Sequence, residues 1–338
     1  VGSHEPSREA LSMKALRATA VVLCGVLLCA AGAPATAQTW PAAKPITMVV
    51  PFPPGPALDM VARLVGGKLS AALRQTVVVD NRTGANGTIG AGVVARAAPD
   101  GYTLLAATSG THVTSVHLMK SLPYDPVKDF TPIMAAVEPA TCLVVNSSLP
   151  VNSVQELIAY AKANPGKLSY GSSGVGSVFH MMGELFNQTV SVKIAHVPYR
   201  GVAPAMQDVM GGHIPMVFIS VSNAMAGVRQ GSVKILAVLE PARYAKLPNV
   251  PSMSEIVPAF RKPSSWFGFF GPANLPPGIV AKLNVAMRKG INAPDVRAKL
   301  EASDFAVIDG TPEEFGALLK DGIERYGAII KAAGIPPQ

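Results

Sequence analysis

Short runs of apolar and β-branched residues alternate along the chain with longer stretches whose apolar positions recur every three or four residues. The short runs predict strands at residues 47–50, 76–79, 103–106, 141–145, 169–171, 216–220 and 234–238. The longer stretches predict helices. Over 58–73, Leu58, Val61, Val65, Leu69 and Leu73 fall on one helical face. A helix over 154–164 starts after Ser153, whose hydroxyl can cap it, and stops at Pro165-Gly166. Two more cover 279–291 and 311–333, the second opened by Thr311-Pro312-Glu313-Glu314 with a capping-box glutamate. Strands and helices alternating in this way predict an α/β protein.

One unit recurs. Residues 46–73 run strand, turn, helix, and the turn Pro51-Phe52-Pro53-Pro54-Gly55-Pro56 is stiff before the fold forms. Gly55 allows a ligand to approach the backbone closely, and Asp59 falls early in the helix, where a carboxylate complements the dipole. Residues 167–186 repeat the plan: Leu168-Ser169-Tyr170, the loop Gly171-Ser172-Ser173-Gly174-Val175-Gly176-Ser177, then a helix through His180 and Phe186. A looser instance joins residues 104–107 to Thr108-Ser109-Gly110-Thr111-His112. Each unit sets a loop and a helix start at the carboxyl end of a strand, where open α/β sheets bind ligands. Backbone N–H groups there favour anions. Two such units in separate domains would face each other across a cleft.

Composition sets the outer limits. The 338 residues are 49% hydrophobic and 15% charged, which excludes a disordered polar chain. That length suits about two domains. Residues 1–37 read as an upstream extension and a cleaved signal peptide. Lys14 and Arg17 follow Met13, an apolar run covers 18–31, and Ala35-Thr36-Ala37 offers a cleavage site before Gln38. Val1 to Ser12 resemble a remnant of cloning or a misplaced start. Cys24 and Cys29 raise a lipid anchor, but each follows a leucine (Leu23, Leu28) where attachment wants a small residue. Cleavage would leave Cys142 alone, without a disulfide, in an apolar run that suits a packed, inert thiol. It would also lower the net charge from +8 to +7. Basic residues are scattered singly with no aromatic platform, which argues against nucleic acid.

The chemistry-bearing residues do not assemble into a familiar active site. Glycines at 171, 174 and 176 approach a cofactor fingerprint, but Phe179 stands where its last glycine belongs and a phosphate-loop lysine is missing. Val175 spoils G-x-S-x-G around Ser173. His112, His117, His180, His196 and His213 lack neighbours at metal-ligand spacing, so no metal and no cofactor is expected. A secreted hydrolase would need Ser109, Ser172 or Ser173 beside His112 or His180.

Together the motifs resemble those of the Bug-type periplasmic solute-binding proteins of tripartite tricarboxylate transporters, over essentially the whole mature chain. The likeness rests on Val50-Pro51-Phe52-Pro53-Pro54-Gly55 with Asp59-Met60-Val61-Ala62-Arg63, and on Val77-Val78-Val79-Asp80-Asn81-Arg82 with Gly84 and Gly87-Thr88-Ile89-Gly90. It continues through Ala98-Pro99-Asp100-Gly101-Tyr102, Leu122-Pro123-Tyr124-Asp125-Pro126, Gly183-Glu184-Leu185-Phe186, His196-Val197-Pro198-Tyr199 and Ser265-Trp266-Phe267-Gly268. The resemblance implies a two-domain, type II-like periplasmic-binding-protein fold: mixed sheets flanked by helices, two crossover strands and a central cleft. Domain 1 would comprise 44–141 plus 267–338, and domain 2 142–266. It implies a monomer that is no enzyme, is exported to the periplasm, and passes a small carboxylate to inner-membrane transporter subunits. A partner of a membrane sensor is the neighbouring alternative.

By the same likeness, two loops would pinch the carboxylate with backbone N–H groups, hydroxyls and ordered waters. The first supplies Phe52, Pro54, Gly55, Pro56 and Asp59; the second supplies Tyr170, Ser172, Ser173, Gly174, Gly176 and Ser177. Ser109, Thr111 and His112 contribute from the third loop, with Phe179, Tyr199 and Ile219 around them. Three departures bear on the ligand. Pro56 replaces a usual glycine and removes a donor. Val178 and Phe179 replace small or polar residues, and Pro215 and Ile219 stand where many members carry aspartate. Without an acid at Ile219 a ligand ammonium lacks a partner, so the expected ligand is a non-amino carboxylate with an apolar or aromatic body near Phe179.

Overall fold

Apolar runs build two sheets in the computed structural model, which describes Gly2 and residues 40–55 and 57–337. The expected signal segment and Pro56 lie outside the described residues. With strands numbered along the chain, the first sheet contains β1 (Ile46–Val50), β2 (Val77–Asn81), β3 (Thr103–Thr108), β4 (Phe130–Pro139), β10 (Phe267–Pro272) and β11 (Phe305–Val307). Its order is β11-β4-β10-β3-β1-β2. β1 pairs parallel to β2 and β3, while β10 runs antiparallel between β3 and β4. The second sheet contains β5 (Thr141–Asn146), β6 (Ser169–Ser172), β7 (Ala195–Pro198), β8 (Met216–Ser220) and β9 (Val233–Val238), in the order β7-β6-β8-β5-β9. β6 is parallel to β7 and β8, whereas β5 is antiparallel to β8 and β9.

Strands covered on both faces need continuous apolar runs. Ile46, Met48, Val49 and Val50 of β1 are buried, as is all of β5. Cys142 lies within β5 at 0% exposure, and burial raises its thiol pKa, so it is the packed thiol expected.

Helices cover the sheets. They are α1 (Ala57–Leu73), α2 (Thr88–Ala95), α3 (Ser115–Leu118), α4 (Val154–Ala163), α5 (Val178–Val190), α6 (Val202–Met210) and α7 (Val221–Arg229). The chain continues through α8 (Met253–Ile256), α9 (Pro277–Ile291), α10 (Pro294–Ala302) and α11 (Pro312–Ala332). α1 buries Leu58, Val61, Val65 and Leu69, the face its periodicity marks. The Ser153 hydroxyl accepts from the Glu156 N–H at the start of α4, and Thr311 with Glu314 forms a full capping box on α11.

The chain passes between the sheets twice. A single residue, Ala140, separates β4 from β5, and the return runs through α8 and an irregular segment into β10. The two α/β layers, their flanking helices and this double crossing match the expected fold class.

Candidate ligand-binding site

The proline corner after β1 is fixed by one carboxylate. Asp59, 3% exposed in the first turn of α1, accepts from the Gly55 N–H at 2.9 Å and from Arg63 Nε at 2.9 Å through Oδ2. Its Oδ1 accepts from Asn81 Nδ2 at 2.9 Å, and the same amide nitrogen donates to the Phe52 carbonyl at 2.9 Å. Burial pushes the carboxyl up, but Arg63, Gly55 and Asn81 outweigh it and hold the pKa at about 2. The Gly55 N–H is therefore taken up inside the corner. Asp59 orients the loop and leaves Phe52 facing the cleft.

The loop after β6 is held by two histidines. Ser177 caps α5 by accepting from the His180 N–H at 3.2 Å, and the Gly176 N–H donates to His180 Nδ1 at 3.0 Å. Ser172 Oγ lies 2.7 Å from His196 Nε2 and accepts from the Gly174 N–H at 3.1 Å. The two imidazoles stack, with centroids 3.7 Å apart. Burial lowers the pKa of His180 to about 3, helped by His196, and that of His196 to about 4. Neutral rings suit this arrangement, because protonation at Nδ1 would cost the Gly176 bond. At the start of α5, the Val178 and Phe179 N–H groups have no partner among the described residues.

The loop after β3 adds hydroxyls. The Ser109 N–H donates to the Trp266 carbonyl at 3.0 Å; the residue is 1% exposed, and its hydroxyl has no hydrogen bond among the described residues. The Thr111 hydroxyl donates to the Thr108 carbonyl at 2.8 Å, so His112 Nδ1, 2.9 Å away, must donate to Thr111. His112 Nε2 is then an unprotonated, unpartnered nitrogen within an aromatic cage, stacked on Phe270 at 4.5 Å. Burial lowers its pKa to about 3.

These loops enclose a cavity of about 730 Å³. Phe52, Ser109, Ser173, Gly174, Gly176, Ser177 and Phe179 line it, as their sequence context suggests. The other candidates stand elsewhere. Tyr170 and Ile219 are 0% exposed in the core, Tyr170 donating to Glu184 at 2.6 Å. Thr111 and His112 are equally buried, and Ser172 sits beneath the loop at 1%. Tyr199 turns its hydroxyl to Asp208 at 2.6 Å. Pro54, Gly55 and Asp59 shape the corner without reaching the cavity, and Pro56 lies outside the described residues. The hydrolase pairing also fails geometrically: Ser172 meets His196, not His112 or His180, and does not line the cavity, and among the described residues neither the Ser109 nor the Ser173 hydroxyl hydrogen-bonds a histidine.

Sequence reading missed part of the wall. Asn86 and Ala85 come from a turn before α2, where Gly87 at φ 90 packs against Phe52 and Thr111. Leu118 and Met119 come from the end of α3, and Pro139, Thr141, Ser265 and Phe267 from the two crossings. The Pro/Gly signals of the turn before α2 and the Ser-Trp-Phe-Gly run were present, but nothing local ties them to a cleft. Among the described residues no side chain lining the cavity is charged, and none form a metal-binding group.

Comparison with known proteins supplies an independent frame. Residues 61–335 match the family described as "Tripartite tricarboxylate transporter family receptor". Protein BugT of Bordetella pertussis is 34% identical, over 95% of this chain and 99% of that protein. The solved structure of R. palustris Rpa4515 with adipate aligns at TM-score 0.77 and 35% identity, covering 88% of this chain and 100% of that one. MatC from Rhodopseudomonas palustris with bound malate aligns at TM-score 0.72 and 32% identity, covering 86% and 99%.

Proposed function

The chain belongs to the tripartite tricarboxylate transporter receptor family, whose members are periplasmic solute-binding proteins and not enzymes, and on that premise we propose that it captures a small carboxylate and delivers it to an inner-membrane transporter. The observation that carries this reading is the cavity of about 730 Å³, whose described lining is uncharged and in which hydroxyls and amides supply the polar contacts. The hydroxyls of Thr108, Ser109, Ser173 and Ser177 keep their protons for a ligand, and the unpaired N–H groups at the start of α5 face the same way as the helix dipole. No acid among the described residues lines the cavity, so an ammonium group finds no partner among them. Phe52, Leu118, Met119, Phe179 and Phe267 supply apolar contact for a ligand body. The ligand is a non-amino carboxylate with an apolar or aromatic body.

Capture is a closure of two bodies, residues 44–141 plus 267–338 against 142–266, about the crossings at Ala140 and Trp266. Affinity then reflects how much better the closed form holds the ligand than the open form. Export through cleavage before Gln38 fits this role. The test is a thermal-shift screen with mono-, di- and tricarboxylates, aromatic acids and amino acids. An acid at a hundred times its Kd adds roughly 2.7 kcal/mol of stability. A flat response to every carboxylate, or a preference for glutamate or aspartate, contradicts the reading.

A further inference from the structure

We propose that the cavity admits a ligand with a single carboxylate, because the wall made by the two crossings rejects a second one. This rests on the carboxylate-binding reading above. Pro139 and Thr141 from the first crossing and Ser265 from the second form that wall. Directly behind it lie three ionisable side chains that sequence reading passed over. Lys262 Nζ, on a side chain 4% exposed, is 2.7 Å from Glu138 Oε1 and 3.1 Å from Glu240 Oε2. Two carboxylates thus share one ammonium, leaving a net formal negative charge behind the wall.

The same carboxylates claim the wall's donors. The Thr141 N–H and its hydroxyl both donate to Glu240 Oε1 at 2.9 Å. The Ser265 N–H donates to Glu138 Oε1 at 2.8 Å, its hydroxyl to the same oxygen at 3.3 Å, and the Ser264 hydroxyl to Oε2 at 3.0 Å. Every proton that could meet a ligand anion at this wall is turned away from it. The loops after β3 and β6 have the contrary polarity, with the unpartnered hydroxyl of the 1%-exposed Ser109 and the free amides of α5. A carboxylate in a site of low dielectric binds only where donors meet it, and beside like charge it is repelled.

Lys262 keeps the arrangement charged. Burial raises the Glu138 carboxyl, but the Lys262 ammonium outweighs it and holds the pKa below its usual value. Burial likewise lowers Lys262, and the two glutamates outweigh it, so its pKa is raised.

Acids of equal length separate the possibilities. Titration calorimetry with hexanoate and adipate on the full chain should show hexanoate binding at least about tenfold tighter. Glu240→Gln keeps an acceptor for Thr141 but removes one charge, and should narrow that ratio several-fold; Glu138→Gln is the alternative if the first variant folds poorly. A merely structural role would weaken both acids by the same factor. Adipate binding as tightly as hexanoate, or a ratio unmoved by both variants, overturns the proposal while leaving the carboxylate reading standing. If neither these acids nor any other carboxylate binds, that reading falls and this inference with it.

Discussion

Asp59 shows how a single side chain can serve a binding loop without touching a ligand. Its position early in α1 was legible as a dipole effect, but its partners were not, since Asn81 lies 22 residues away and the Gly55 bond requires the folded corner. Asp59→Ala leaves Arg63 Nε and the Gly55 N–H without their acceptor and Asn81 Nδ2 with the Phe52 carbonyl alone, and should cost about 2–3 kcal/mol in chemical denaturation. The acid dependence has a definite sign. Because the folded pKa is about 2 against an ordinary 3.8, the carboxylate's contribution is full above 3.8 and is lost as pH falls through 2. Asp59→Asn should therefore flatten the stability profile in that window. A profile unchanged from the parent would contradict the role.

At the scale of elements, glycines hold the β6–α5 unit together. A Cβ on Gly183 would stand 2.1 Å from the Tyr170 ring, so α5 can lie on β6 only because that side chain is absent. Gly183→Ala should cost about 1–3 kcal/mol through overpacking, read as a lower thermal midpoint. Gly176 has φ +79, and a Cβ there would come 2.2 Å from Leu118 Cδ1 at the end of α3. Gly176→Ala should weaken the best acid by roughly tenfold or more while costing about 1 kcal/mol of stability, since the added methyl props the cleft open. Glycine also explains what the hydrophobic pattern hid. β10 contains Gly268, Gly271 and Pro272, which read as breakers, yet a Cβ on Gly268 would lie 2.3 Å from Phe315. Unbroken apolar strands such as β5 and β8 announced themselves, whereas β4, interrupted by Pro132, and the short edge strands β7 and β11 did not.

Across the whole molecule, three histidines set how the fold answers acid. Burial lowers His112 to about 3, His180 to about 3 and His196 to about 4, against an ordinary 6.5. Below 6.5 the unfolded chain takes up protons that the folded chain refuses, so stability is full above that pH and falls beneath it. Each histidine contributes a slope of up to about 1.4 kcal/mol per pH unit. Denaturant titrations at pH 7.5 and 5.5 should differ by about 4 kcal/mol, and equal values would contradict the buried neutral rings. The site divides along the same line between local and long-range order. Loops at strand ends were legible from helix-start chemistry, and Ser173, Ser177 and Phe179 do line the cavity. His112, Tyr170 and Ile219 went instead to the core, because burial depends on partners distant in sequence: Phe130, Trp266 and Phe270 around His112, His196 and Phe218 around Tyr170, and the cluster of Cys142, Val144 and Ala205 that Ile219 joins. The crossings, with Thr141 and Ser265, needed the fold itself. The most direct measurement of the central claim is a calorimetric titration of the tightest acid from the screen against the parent chain and Ser173→Tyr, which puts a phenol ring into the cavity wall. The account predicts saturable binding to the parent and a loss of at least about thirtyfold in the variant, with the fold's thermal midpoint nearly retained. Equal affinity in the two proteins would place the ligand elsewhere and contradict it.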